Sequence, residues 1–150
     1  MLQITPHHTV MVALFPVDFR KGIDGLAGFC RNHLKQDPFS GTLFVFCNRP
    51  KTTLKVLVYD GQGYWLCTKR LSKGKIVWWP TEQKDTQGAN QPYQYLLASE
   101  LNILLNNGNP KDVKFQQNWR NLTQPKVSSV LQDPKESACN AKAPNSEGSY

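Results

Sequence analysis

Apolar and polar positions alternate along this chain in two rhythms, one helical and one of period two. From Thr9 to Phe15, β-branched and apolar residues run together until Pro16 stops them, which predicts a first strand. Between Arg20 and Lys35 the apolar positions Ile23, Leu26, Ala27, Cys30 and Leu34 recur at helical spacing, with Lys21, Asp24, Arg31 and Lys35 on the rest of the wheel. That predicts an amphipathic helix, with Asp18 as a suitable cap. Gly22, Gly25 and Gly28 fall every third residue within it. The spacing is not that of a phosphate-binding glycine loop and reads as room for a neighbouring backbone.

The second rhythm begins after the turn chemistry of Asp37-Pro-Phe-Ser-Gly41. Leu43 to Cys47 is apolar at every position, as a strand covered on both faces would be. Turn signals at Asn48-Arg-Pro-Lys-Thr52, Asp60-Gly-Gln-Gly63 and Ser72-Lys-Gly74 then separate strands near 53–59, 64–70 and 75–79, giving a four-stranded antiparallel meander. Pairing Tyr59 with Tyr64 and Arg70 with Lys75 divides the meander into two faces. One holds Leu43, Val45, Cys47, Leu54, Val56, Val58, Trp65, Cys67, Ile76 and Trp78, with Lys69 as its single charge. The other mixes Phe44, Phe46, Leu57, Tyr59, Tyr64, Leu66, Val77 and Trp79 with Lys55, Arg70 and Lys75. The first helix is expected on the apolar face, leaving aromatic and cationic side chains to a second helix or to a partner.

Pro92 suits the first turn of a second helix near residues 92–107, which carries Leu97, Leu101, Leu104 and Leu105 to a stop at Asn107-Gly108. The expected fold is α+β: a four-stranded antiparallel meander plus an N-terminal strand, packed with two helices. Residues 1–122 read as one domain. Residues 123–150 are poor in apolar positions and rich in Pro, Ser, Lys, Asn and Gln, and read as a disordered tail.

Charge changes the picture more than overall composition does. The net charge is +7, and residues 49–75 hold Arg49, Lys51, Lys55, Lys69, Arg70, Lys73 and Lys75 against the single acid Asp60. A basic concentration of this kind attracts polyanions, with nucleic acid the leading class. Arg20 and Lys21 join the set, because cations at the start of a helix oppose its dipole unless an anion meets them. The expected phosphate contacts are therefore Arg20, Lys21, Arg49, Lys51, Lys55, Lys69, Arg70, Lys73 and Lys75. Tyr59, Tyr64 and Trp79 are the expected stacking or partner-binding rings.

Candidate catalytic groups are scattered. Asp18, Asp24, Asp60 and Glu82 are the carboxylates a two-metal nuclease would need to converge, and each has a simpler reading as cap, first-turn acid, hairpin turn or linker. His7, His8 and His33 lack metal-ligand spacing, and Cys30, Cys47, Cys67 and Cys139 lack CxxC spacing. No catalytic residue, metal or cofactor is expected. The apolar run Val10 to Val17 is short, contains Pro16 and is followed at once by Asp18 and Arg20, so neither a signal peptide nor a membrane span is expected and the default location is the cytoplasm.

Several stretches together carry a family resemblance: Asp18-Phe-Arg-Lys-Gly-Ile-Asp-Gly-Leu26, Asp37-Pro-Phe-Ser-Gly41, Leu43-Phe-Val-Phe46, Lys55-Val-Leu-Val-Tyr-Asp-Gly-Gln-Gly63, Lys69-Arg-Leu71, Trp79-Pro80 and Glu100-Leu-Asn-Ile-Leu-Leu-Asn-Asn-Gly-Asn-Pro110. Over roughly residues 1–122 the chain resembles the small accessory protein, TnpB or second open reading frame, of bacterial transposable elements of insertion sequence family sixty-six. The resemblance implies a non-enzymatic part in transposition beside a separate DDE transposase. Two partners follow as expectations: the DNA ends of the element, bound through the basic residues, or the DDE transposase, bound as a protein adaptor without DNA contact. Self-association into a homo-oligomer is compatible with either.

Overall fold

The computed structural model describes residues 3–82 and 90–114. They form β1 (Val10–Ala13), α1 (Ile23–Asn32), β2 (Leu43–Cys47), β3 (Thr53–Tyr59), β4 (Tyr64–Arg70), β5 (Tyr93–Leu96) and α2 (Ala98–Leu105), followed by a short 3-10 turn at Pro110–Asp112. The expected tail at 123–150 lies outside the described residues.

The fold is α+β, with one mixed five-stranded sheet in the order β4-β3-β2-β1-β5. Three strands form an antiparallel meander in the expected register, with Tyr59 opposite Tyr64 and Val56 opposite both Val45 and Cys67. β1 joins that meander parallel to β2, Val10 lying beside Leu43 and Val12 beside Val45. Parallel neighbours cannot be linked by a tight turn, and α1 is the crossover that links them.

That crossover decides which helix covers which face, and it reverses the expected assignment. α1 lies over Phe44, Phe46, Leu57 and Met11, burying Leu26, Ala27, Cys30 and Leu34 against them. α2 covers the other face, where Leu101 and Leu104 pack on Val10, Val12, Leu43, Val45, Val56 and Val58. A strand–helix–strand unit in one sheet is right-handed almost without exception, so the parallel β1–β2 pair fixes the side on which α1 must sit. Alternation alone sorts residues into two faces without saying which face a helix takes. β2, third of five, is buried at every position because both faces are covered.

Two elements depart from the sequence pattern. Residues 75–79 form no strand. Gly74 adopts a positive φ of 78°; the chain then turns across the end of the sheet instead of running back beside β4. Ile76 N donates to Lys51 O at 2.7 Å, and Trp79 Nε1 donates to Ala13 O at 3.0 Å. Ile76 and Trp79 thereby enter the core on the α2 side, and β4 is left as an edge. The second departure lies at Tyr93–Leu96, expected to begin the second helix. These residues pair antiparallel with β1, Tyr93 opposite Ala13 and Leu96 opposite Val10. Two tyrosines in four residues suit a pleated edge better than a helix. The helix starts only at Ala98, where the Glu100 carboxylate accepts from Leu97 N at 2.7 Å.

Asp18 does not cap α1, whose N-cap is Gly22. Asp18 Oδ1 instead accepts from Arg20 N at 3.0 Å and holds the approach to the helix. Nor do the glycines admit a backbone: a Cβ at Gly22 or Gly28 would meet nothing within 4 Å, and one at Gly25 would meet the Lys21 Cβ at 2.8 Å.

Candidate nucleic-acid interface

Strand direction gathers the cations. β1, β2 and β4 finish at the same end of the sheet where β3 and β5 begin. The turn between β2 and β3 puts Arg49 and Lys51 there, the last residues of β4 add Lys69 and Arg70, and the crossing segment after β4 adds Lys73 and Lys75. Arg20 and Lys21 reach the same end because Val17 N, beyond β1, donates to Cys47 O at the end of β2 (2.9 Å). The Arg49–Lys51 turn is rigid: the Asn48 side chain accepts from Thr52 N and Thr53 N at 2.9 and 3.1 Å, and Lys51 holds a positive φ of 55°.

Three of the nine candidate cations are already engaged within the protein. Arg20 forms an ion pair with Asp18 at 2.9 Å, which holds the Asp18 carboxyl below the usual carboxylate range. Lys55 sits inside β3, where its Nζ donates to Phe19 O at 2.9 Å and lies 5.0 Å from the Phe19 ring centre. Lys69 Nζ donates to Leu105 O, placing a cation at the C-terminus of α2 where the helix dipole favours one. Lys21, Arg49, Lys51, Arg70, Lys73 and Lys75 are exposed and make no side-chain hydrogen bond or ion pair among the described residues.

The three rings expected to stack are not beside these cations. Trp79 is 6% exposed and its indole N–H is committed to Ala13 O, so it is a core residue. Its burial follows from the missing fourth strand, because alternation no longer applies once residues 75–79 cross the sheet end. Tyr59 and Tyr64 lie at the opposite end of β3 and β4, about 20 Å from the basic turn at ~3.3 Å per residue. There they cluster with Phe39, with ring centres 5.0 Å (Phe39–Tyr59), 5.4 Å (Phe39–Tyr64) and 5.1 Å (Tyr59–Tyr64) apart. Phe39 and Trp65 are about half exposed at that end. They line a hollow of about 480 Å³ with Tyr59 and Asp60. The expected aromatic-and-cation face is thus resolved into a basic end and an aromatic end. Phe39 belongs to the second through its place in the Asp37–Gly41 turn, which the sequence showed as a turn and not as a site. Phe15, also about half exposed, does stand at the basic end; its signal was an aromatic residue immediately before the proline that stops β1.

The candidate catalytic groups do not converge. Asp60 closes the β3–β4 hairpin at the aromatic end, accepting from Gln62 N, Gly63 N and Trp65 Nε1 at 2.9, 3.0 and 2.7 Å, whereas Asp18 lies at the basic end. The backbone N–H of Gln62, with the other two donors, lowers the Asp60 carboxyl below its ordinary value. Burial pushes the thiols of Cys30 and Cys47 up to about 12 and about 11, so both are protonated, inert core residues at neutral pH. Among the described residues no three His, Cys, Asp or Glu side chains are grouped to hold a metal ion. No helix among them is long and apolar enough to cross a membrane.

Residues 8–107 match the family described as IS66 Orf2 like protein, two thirds of the chain. The chain belongs to the IS66 Orf2-like family. Relatives among curated proteins include two uncharacterized proteins of Sinorhizobium fredii. One, y4jC, is 35% identical over 89 residues, which is 59% of this chain and 76% of the relative. The other, y4hO, is 45% identical over 69 residues, 46% of this chain and 60% of the relative. No solved structure matches. The IS66 Orf2-like match takes in β1 through α2, the whole of the sheet and both helices. Membership associates the protein with an insertion sequence and an accessory part in its transposition, in a family that is not one of known enzymes.

Proposed function

We propose that this protein is a non-catalytic accessory factor for transposition that binds the DNA ends of its element through the basic end of the sheet. One observation carries the reading: Lys21, Arg49, Lys51, Arg70, Lys73 and Lys75 converge on one end with no side-chain hydrogen bond or ion pair among the described residues. An isolated surface lysine gains little from being left bare. Several bare cations around a rigid turn favour a polyanion, because each phosphate neutralised releases a condensed counterion.

Fluorescence anisotropy on an element-end duplex and a scrambled duplex, across a salt series, tests this reading. Affinity is expected to fall with salt at a log–log slope near −0.9 per phosphate contact, about −4 to −5 if most of the six cations engage. Absence of binding, or binding indifferent to salt, would overturn it. Phosphate contacts position a protein without reading bases, so any preference for the element end must come from other groups.

A second reading is favoured by the other end of the sheet. Phe39, Tyr59 and Trp65 stand exposed or half-exposed there beside β4, an edge strand among the described residues, the composition of an interface core more than of a solvated rim. In that reading the protein is an adaptor for the DDE transposase. Co-purification with the transposase, lost on Trp65→Ala without loss of folding, would favour it. The two readings use opposite ends of the sheet and are compatible in one molecule.

A further inference from the structure

We propose that the basic end holds a receptor for one unpaired nucleotide, so that the DNA preferred by this protein carries a single-stranded or frayed end. The inference rests on the DNA-binding reading above and specifies its ligand. Beside the β2–β3 turn a hollow of about 450 Å³ is lined by Phe15, Pro16, Arg49, Lys51, Trp79 and Glu82, among others. Its volume is within the range of small-ligand sites, about 300–1,000 Å³, and has room for one base and its sugar.

The lining supplies what a nucleotide requires. Phe15 is 48% exposed, so its ring is open to stacking. Pro16 fixes the backbone immediately after it. Trp79 is held by its N–H bond to Ala13 O and forms a firm wall. Arg49 and Lys51, on a turn fastened by Asn48, provide positive charge for the 5′ or 3′ phosphate. Among the described residues of the lining, Glu82 is the carboxylate. It repels phosphate from its own side and can accept a hydrogen bond from an exocyclic amino group, which orients the base toward Glu82 and the phosphate toward the cations. A base inside a duplex has both faces stacked and cannot reach Phe15; an unpaired base can.

The test is fluorescence anisotropy with three labelled DNAs of one sequence: a blunt duplex, the same duplex with a short single-stranded overhang, and the single strand. Base–aromatic stacking predicts that the overhang duplex binds about 5–150-fold tighter than the blunt one. Phe15→Ala is expected to abolish this preference with blunt-duplex affinity and salt slope unchanged, and Phe15→Tyr to retain it. Circular dichroism of both variants establishes that they are folded. Equal affinity for blunt and overhang duplexes, or a preference that survives Phe15→Ala, would overturn the inference while leaving the DNA-binding reading in place. Failure to bind any of the three DNAs would remove both.

Discussion

The two ends of the sheet are built from the same three strands and differ in almost every surface property. At the end where β2 and β4 stop, the turn side chains are cations, and six of them have no partner within the described residues. At the other end, the β3–β4 hairpin is closed by Asp60, and Phe39, Tyr59, Tyr64 and Trp65 gather around it. At the basic end the turn backbone is fastened by Asn48 while six of its cationic side chains make no bond within the described residues. The aromatic end is internally bonded, with rings packed edge-on or tilted against one another and a carboxylate accepting from three N–H donors. A pattern that looked like one mixed face along the sequence is two clusters of side chains about 20 Å apart. Stacking and charge therefore cannot act on the same nucleotide unless an aromatic residue lies at the basic end, as Phe15 does.

Substitutions at the two ends separate their roles, and the largest effect is expected from Trp79, a core ring whose edge backs the hollow at the basic end. Trp79→Ala removes a buried indole and its hydrogen bond to Ala13 O, and should cost about 3–5 kcal/mol in urea unfolding. Trp65→Ala, at a half-exposed position, should cost less than about 1 kcal/mol in the same experiment. Similar losses for both would break the division between core ring and surface ring.

Next in size is the basic end. Arg49→Ala combined with Lys51→Ala should weaken duplex binding about 50-fold at roughly 0.1 M salt and reduce the salt slope by about 2, with little change in thermal stability. If the pair left DNA binding intact while Trp65→Ala abolished it, the functional assignment of the two ends would have to be exchanged.

A smaller effect concerns pH. The N–H donors of Gln62, Trp65 and Gly63 hold the folded-state pKa of Asp60 below the ordinary carboxylate value of about 3.9, so its stabilising bonds are fully present above that value and are lost as pH falls through the lower, folded one. Asp60→Asn should lower stability at neutral pH and flatten the stability profile below about pH 4, read by thermal unfolding across an acid series. An unchanged acid limb would mean that the hairpin does not depend on the charge. The smallest effect is a gain. Gly28 lies in α1 with open space around its missing Cβ, so Gly28→Ala should stabilise by about 0.5–1 kcal/mol. A loss there would restore the close backbone approach that the glycine spacing suggested.

The meander was legible because its signals are local. Asp60-Gly-Gln-Gly63 fixes a hairpin, and once Tyr59 faces Tyr64 every other pair in β3 and β4 follows. β2 was legible as central because five apolar residues in succession leave no face for water. The misplaced elements depended on distant partners. Ile76 to Trp79 is a run of β-branched and aromatic residues that reads as a strand, yet its bonds go to Lys51 O and Ala13 O, at the sheet end. Tyr93–Leu96 is a strand because β1 offered it an unpaired edge. The cations were nameable from the sequence, but which of them were spoken for was not: Lys55 finds Phe19 O and Lys69 finds Leu105 O across 36 residues each.

Composition and periodicity by themselves determined that this chain is an α+β domain with a hairpin register, a doubly covered central strand and a concentration of positive charge. Those properties are set by side-chain alternation, turn residues and charge count, each decided within a few residues. Only the tertiary structure decided that β1 runs parallel to β2, that α1 therefore lies on the Phe44–Phe46 face, and that cations and aromatic rings part to opposite ends of the sheet. The reason is that strand order and crossover handedness are properties of the whole chain, and a residue's period along one strand records which face it points to but not what the rest of the molecule brings to that face.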